Sequence, residues 1–553
     1  MTKNILAASL LLALLAATDP ASAAPMAPAP TPTAAYTYVS HPVSTDNAAA
    51  QAQFERGLTL VFAYQRSEAE QAFRLAARLD PTMAMAWWGI GLALGPDING
   101  PPAAKTTQQA AQALARAQKL AAIHATPVER DYIQALSTRY SSSAEPDFDA
   151  LAKAYRDAML ALANKYPDDA DAQALLAEAI MDQHPWRLWT WDGKPAPDTE
   201  LLVRTLENGL ARHPGHLGLQ HFYIHTMEAS PTPERALAAA HALADLPMEP
   251  AAAHLVHMPA HIFLRVGDWQ SAINVNERGV LKALAFGLSK NPSLVQSCPH
   301  CHDFLSYAYA TQGDGPRAIA SATAYTELVG DPSREFSVLV RFGRWDQILV
   351  HAQPPGNLGE DARNADVMRG YWHYARGMAL SATGHADAGA AELEALRKSA
   401  AAAPQEPEWD TAHFDLAHVF DKMVAASDAG MLQVAERVLG ADLQEKAGHV
   451  DAALALLGDA VSVQDRMQYD EPPPWYYPVR EKLGVVLLRA GRMAEAEAML
   501  REALQRTPNN PRVMFALAEA LAAQGKTTEA AAQREAFAKT WSAAGGTLTL
   551  ADL

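Results

Sequence analysis

Only two cysteines occur in 553 residues, so disulfides cannot staple this chain into shape. Positive charge is also short. The 45 Lys and Arg face 62 Asp and Glu, a net charge of −17. Such a balance disfavours nucleic acid and anionic membrane surfaces. It leaves cationic partners, metal ions or simple solubility. Beyond the first residues no run is long and apolar enough to span a bilayer. Runs of β-branched residues are scarce, while Ala, Leu, Glu, Gln and Arg abound, which favours helix over sheet. The chain has no HExxH, GxSxG, P-loop or dinucleotide fingerprint, so no known reaction class is indicated.

What is present begins with a secretory pattern. Lys3 supplies the basic start, Ile5 to Ala17 the apolar run, and Ala21-Ser22-Ala23 a small-residue cleavage site. No cysteine near that site suggests a lipid anchor. The pattern predicts a signal peptide over 1–23 and a secreted, periplasmic protein without a membrane span. A Pro/Ala tether with nothing to bury is expected over 24–45.

Internal repeats set the architecture. Leu483, Gly491 and Ala496 recur 34 residues later as Leu517, Gly525 and Ala530. Gly484, Leu487, Ala496, Ala503 and Pro508 sit where a tetratricopeptide repeat has its small, apolar and helix-ending residues. Gly57, Ala69, Phe73, Ala76 and Pro81 repeat that pattern, and Trp87, Ile90 and Gly91 open the next unit. The expected fold is all-α, an α-solenoid of roughly eight to ten tetratricopeptide-type helix pairs. The regions expected are N-terminal repeats with a Trp-rich insertion over 46–198, His-rich central units over 199–330, degenerate units over 331–468 and C-terminal units over 469–553. Two segments interrupt the repeats, HPWRLWTWDGKPAPD (184–198) and DEPPPWYYP (470–478). Each reads either as a connector whose aromatics cover core or as a lid on the solenoid groove.

Ten of the nineteen histidines and both cysteines lie between His213 and His302. Histidine and cysteine are the main borderline and soft metal ligands. The repeat register puts His221 and His225 on the groove face of one A helix, with Glu228 a turn on. The same register places His254, His257 and His261 on the next A helix, and His300 and Asp303 on the one after. Glu178 and Asp182 take groove positions in an earlier unit and, with Glu228, are candidate general bases. Imidazoles from neighbouring helices can share a Zn or Cu ion. Pro259 interrupts the second of these helices and is expected to kink it. His213, His216 and His241 read as hydrogen-bonded polar residues.

The string Cys298-Pro299-His300-Cys301-His302 has several readings. It fits the C-x-x-C-H attachment pattern of haem c, with Cys298 and Cys301 as thioethers and His302 as iron ligand. It resembles the motif of disulfide oxidoreductases, though no thioredoxin core accompanies it. It also fits a local disulfide, or cysteines added to the His300 and Asp303 site.

From Ala52 to Gly525 the chain resembles a family of exported bacterial tetratricopeptide-repeat proteins. HFYIHTMEAS (221–230), HLVHMPAHIFLRVGDW (254–269), WWGIGLALGPDING (87–100), MDQHPWRLWTWDG (181–193) and YDEPPPWYYPVRE (469–481) carry the match. The resemblance implies the solenoid and makes His221, His225, His254, His257 and His261 family features. It implies no reaction. In that family a histidine often stands where Asp303 is, and the CPHCH cysteines are not typical. Three functions compete. One is an exported scaffold binding a protein, peptide or small-molecule ligand in a His-lined concave groove, with a transition-metal ion. The others are a metal-dependent hydrolase or other metalloenzyme using the same histidines, and a carrier of haem c.

Overall fold

The computed structural model describes residues 39–290, 298–354, 365–403, 416 and 419–553. The expected signal segment lies outside these residues, as does the expected tether as far as residue 38. Residues 39–45 were expected to close the tether, but they pack. Val39 is buried, His41 meets Asp171, and the Ser44 hydroxyl donates to Glu129 at 2.5 Å. These three side chains find partners that the Pro/Ala stretch before them could not use.

The described residues form antiparallel helix pairs. Contacts divide them into two units. The first takes residues 39–259, 281–290, 416 and 419–420, and the second takes residues 260–280, 298–354, 365–403 and 421–553.

In the first unit the pairs are Ala48–Val61 with Arg66–Leu79, Ala84–Ala93 with Ala104–His124, Pro127–Ser137 with Phe148–Lys165, Ala170–Met181 with Thr199–Arg212, and Leu217–Met227 with Leu237–Ala244. The first helix of each pair is the inner one. Every residue of Leu217–Met227 is buried, whereas Arg66–Leu79 buries only Ala69, Ala72, Phe73 and Ala76. An inner helix touches neighbours on all sides, so its sequence is apolar all round; an outer helix keeps one apolar stripe. Small residues make the pairs close. A Cβ on Gly57 would stand 2.7 Å from the Phe73 ring. The glycine gives that ring its seat, and burying it contributes about 2–3 kcal/mol.

Repeats in a solenoid ordinarily touch only their neighbours. Here the first pair also meets the fourth and fifth. Phe62 packs edge-on against His216 and Phe222, at ring distances of 5.4 and 5.9 Å. Arg66 reaches Glu178 at 2.5 Å and Asp97 at 3.0 Å. Asp171 holds His41 at 2.6 Å and His216 at 3.0 Å. The insertion over 184–198 lies against the same interior. Trp189 Nε1 donates to the Thr226 carbonyl at 2.7 Å, and Trp186 sets its edge 5.8 Å from His225.

The second unit begins at Ala260, inside the helix Pro259–Val266, and takes the start of Trp269–Lys290. It continues through Pro299–Thr311 with Gly315–Val329, Ser333–Arg341 with Trp345–Val350, Ala365–Ala382 with Ala386–Ala402, Val419–Lys446 with Val450–Arg466, Val479–Arg489 with Met493–Arg506, and Pro511–Ala523 with Thr527–Thr540. More pairs are present among the described residues than the repeat signatures suggest. Several, such as Ser333–Arg341 with its six-residue partner Trp345–Val350, are too short to show a repeat pattern in sequence. This unit closes on itself as well. Trp269 Nε1 donates to the Asn509 carbonyl at 3.0 Å, and Ser542 N donates to the Gln312 carbonyl at 2.7 Å. The segment 470–478 fills the interior rather than bridging outside. Trp475 packs on Tyr371 and Tyr374 at 5.9 and 5.3 Å. The Arg334 guanidinium lies 4.6 Å over the Tyr476 ring, and that of Arg341 lies 4.1 Å over Tyr477.

Candidate functional site

In the first unit the inner helix Leu217–Met227 carries His221 and His225 one turn apart. His216 caps this helix by accepting from Leu219 N at 3.1 Å and donates its other nitrogen to Asp171, a structural role. His254 comes from the short helix Ala253–His257. Ring distances are 4.8 Å for His221–His225, 5.0 Å for His221–His254 and 5.9 Å for His225–His254. A ring nitrogen from each of the three lies within 4.8 Å of the others, and Nε2 of His221 is 3.1 Å from Nε2 of His254.

The outer contacts orient these rings. Nδ1 of His221 donates to the Phe62 carbonyl at 2.6 Å, and Nδ1 of His225 bonds Glu228 at 2.9 Å. With Nδ1 so engaged, Nε2 is the nitrogen each ring can offer to a metal. A carbonyl or carboxylate behind the imidazole is the usual support of a metal-binding histidine. Tyr64 covers the cluster, its ring 4.7 Å from His221, 5.7 Å from His225 and 5.6 Å from His254. Its backbone holds a φ of 55°, a left-handed conformation that costs a non-glycine residue about 1–3 kcal/mol. Burial raises the Tyr64 phenol pKa well above its ordinary value, and the nearby charges of Asp97 and Glu178 push it the same way.

The repeat register predicts an open groove surface for these histidines. The structure buries His221 and His225, because the turn carrying Phe62 and Tyr64 and the Trp186 ring cover them. Two of the three candidate bases turn elsewhere. Glu178 is fully buried against Arg66, and Asp182 pairs with Arg139. Burial holds the Asp182 carboxyl well above the usual range, against the pull of Arg139. Glu228 alone of the three is bonded to one of these histidines. His257 is buried, with its ring 6.4 Å from that of His254.

In the second unit, His261 is buried with Nδ1 at 3.3 Å from Glu471, and its ring is 5.6 Å from the exposed His300. Phe304 packs on both rings, at 4.8 and 4.9 Å. Asp303 is given over to Arg334, at 3.3 Å, and to the Tyr476 hydroxyl. Burial raises its pKa, and Arg334 opposes the rise. Cys298 and Cys301 form a disulfide with Cα atoms 5.2 Å apart, and Cys298 Sγ caps the helix by accepting from Cys301 N at 3.1 Å. His302 is buried, which pushes its pKa down to about 4 and keeps the ring neutral at physiological pH.

Sequence reasoning found the three histidines by register and missed what covers them. Phe62 and Tyr64 stand 159 and 157 positions before His221 in a turn with no motif. It also missed that Asp171 joins His41 to His216.

The tetratricopeptide-repeat family matches residues 487–533. Those residues are a tetratricopeptide repeat, and the described residues as a whole fold as all-α helix pairs of that solenoid kind. No curated protein matches it. Solved structures similar to it include the human IFIT1 dimer with m7Gppp-AAAA, at 11% identity over 87% of this chain and 89% of that one, with a TM-score of 0.32. Another is the APC/C hetero-tetramer Cut9–Hcn1, at 12% identity over 92% of this chain and 76% of that one, with a TM-score of 0.31.

Proposed function

We propose that the protein is an exported binding scaffold whose first unit holds a Zn or Cu ion on His221, His225 and His254. Its ligand is a protein, a peptide or a small molecule. The convergence of three imidazole nitrogens within 4.8 Å carries the reading. Two nitrogens bound at about 2.0–2.1 Å in a tetrahedral array stand about 3.4 Å apart, close to the 3.1 Å between His221 and His254. The donor set fits a borderline metal, and Phe62 and Glu228 support it from behind. In this site the ion would organise the interior around Tyr64 and tie the first repeat to the fifth.

Elemental analysis of protein purified from periplasm should find about one Zn or Cu per chain. His221→Ala and His254→Ala should each lower affinity for the added metal by more than about 100-fold. A stoichiometry of zero, with no rise in melting temperature on adding Zn or Cu, sinks the reading.

A metal-dependent hydrolase is the second reading. It is favoured by three protein ligands that leave a fourth position for water, with Glu228 beside the set. It requires a turnover that His221→Ala abolishes together with metal binding. Carriage of haem c would require the Cys298–Cys301 bridge to be reduced first, and a Soret band on protein made with c-type maturation tests it.

A further inference from the structure

The second unit contains a cavity of about 630 Å³. Its volume falls within the range of small-molecule sites, about 300–1,000 Å³. One wall is aromatic, built by Tyr371, Tyr374 and Trp475, which pack on one another at ring distances of 5.3–5.9 Å. The lining is also cationic. Arg341 and Arg512 both lean on a single carboxylate, Glu481, at 2.6 and 3.3 Å. Their side chains are each 6% exposed, so this excess of positive charge lies out of water. Burial, and then repulsion from Arg341, push the Arg512 pKa down to about 10.

Further along, Lys446 and Lys482 share one Asp442, each at 3.2 Å. The cavity walls thus carry more cations than acids in a chain whose net charge is −17. Two buried donors of the lining meet no hydrogen-bond partner among the described residues, Nε of Arg341 and the hydroxyl of Tyr477. A buried donor left unmade costs about 1–3 kcal/mol, and such groups call for a ligand or ordered water.

We infer that this cavity binds a carboxylate carried on an apolar, aromatic body. The carboxylate would take the surplus charge of Arg341 and Arg512 and accept from the Tyr477 hydroxyl. A guanidinium pair suits a planar, two-oxygen anion better than a lysine would. The body would lie on Tyr371, Tyr374 and Trp475. The carboxylate has two possible sources, a free aromatic acid and the last residue of a peptide.

Titration calorimetry on the whole chain tests this with 3-phenylpropanoate and its neutral amide, 3-phenylpropanamide. The acid should bind at least tenfold more tightly than the amide. Arg512→Gln should weaken the acid at least tenfold, and Tyr477→Phe severalfold with the ring kept in place. A tripeptide ending in phenylalanine separates the two sources, since tighter binding than the free acid assigns the site to a chain end. Metal removal and His221→Ala should leave the acid's affinity unchanged, so this result stands or falls apart from the metal reading. Equal affinity for acid and amide overturns the inference, as does absence of binding to either. If Arg512→Gln does not fold, the acid–amide comparison and Tyr477→Phe decide alone.

Discussion

Asp171 shows how a buried carboxylate can serve two imidazoles and set a pH window. Burial opposes the charge on His41, but the hydrogen bond and charge of Asp171 outweigh it and raise the His41 pKa above 6.5. Burial likewise opposes the Asp171 charge, and the two histidines still hold its pKa far below 3.8. The His41 contribution to stability is therefore complete below about pH 6.5 and fades as pH rises through the raised value. The Asp171 contribution is complete above about pH 3.8 and is lost as pH falls toward the lowered value. Asp171→Asn should cost about 1.5–3 kcal/mol, with the deficit greatest between about pH 4 and 6.5 and shrinking above it. Urea unfolding of both proteins across that range measures the difference; a flat deficit would show that the pair does not titrate with folding. None of this was legible in the sequence. His41 precedes the first repeat, and Asp171 is one carboxylate among many. His221 and His225 were legible because helical spacing puts them on one face of one helix, and His254 because the repeat register points the next helix at the same place. Asp303 was expected to join His300 in the groove, but Arg334 in a later helix claims it.

At the scale of the helix, glycine separates positions that sequence alone leaves alike. Gly57 seats the Phe73 ring, and Gly57→Ala should cost about 1–3 kcal/mol through overpacking. Gly458 lies inside the helix Val450–Arg466 with nothing within 4 Å of a built Cβ. Gly458→Ala should therefore stabilise by about 0.5–1 kcal/mol. Thermal melts of the two variants should move in opposite directions, and a fall for both would contradict the packing described. The repeat signatures at Gly57, Gly484 and Gly491 made the helix pairs readable. Pro259 was readable too, and the helix does break between His257 and Pro259. The short pair Ser333–Arg341 and Trp345–Val350 was not, because too few turns exist to display a period.

At the scale of the whole molecule, each unit brings its first helices against much later ones. Repeat periodicity encodes contacts between neighbours, so these long-range closures leave no trace in it. In the second unit the closure passes through Gly267, whose φ is 74° and whose missing Cβ would overlap the Pro508 carbonyl oxygen. Gly267→Ala should lose more than about 3 kcal/mol, since left-handed strain and backbone overlap add. Denaturant unfolding monitored by tryptophan fluorescence reads this directly, because Trp269 sits at the same joint. A loss below about 1 kcal/mol would mean the joint contributes little.

That joint also imposes a schedule. Trp269 and Asn509 are 240 positions apart. At about 5–20 residues per second, roughly 12–48 s of synthesis separate the appearance of one from the other. Throughout that interval the indole lacks the carbonyl that its Nε1 bonds in the folded unit. The turn at Gly267-Asp268-Trp269 therefore cannot reach its final contacts until Pro508-Asn509 has been made.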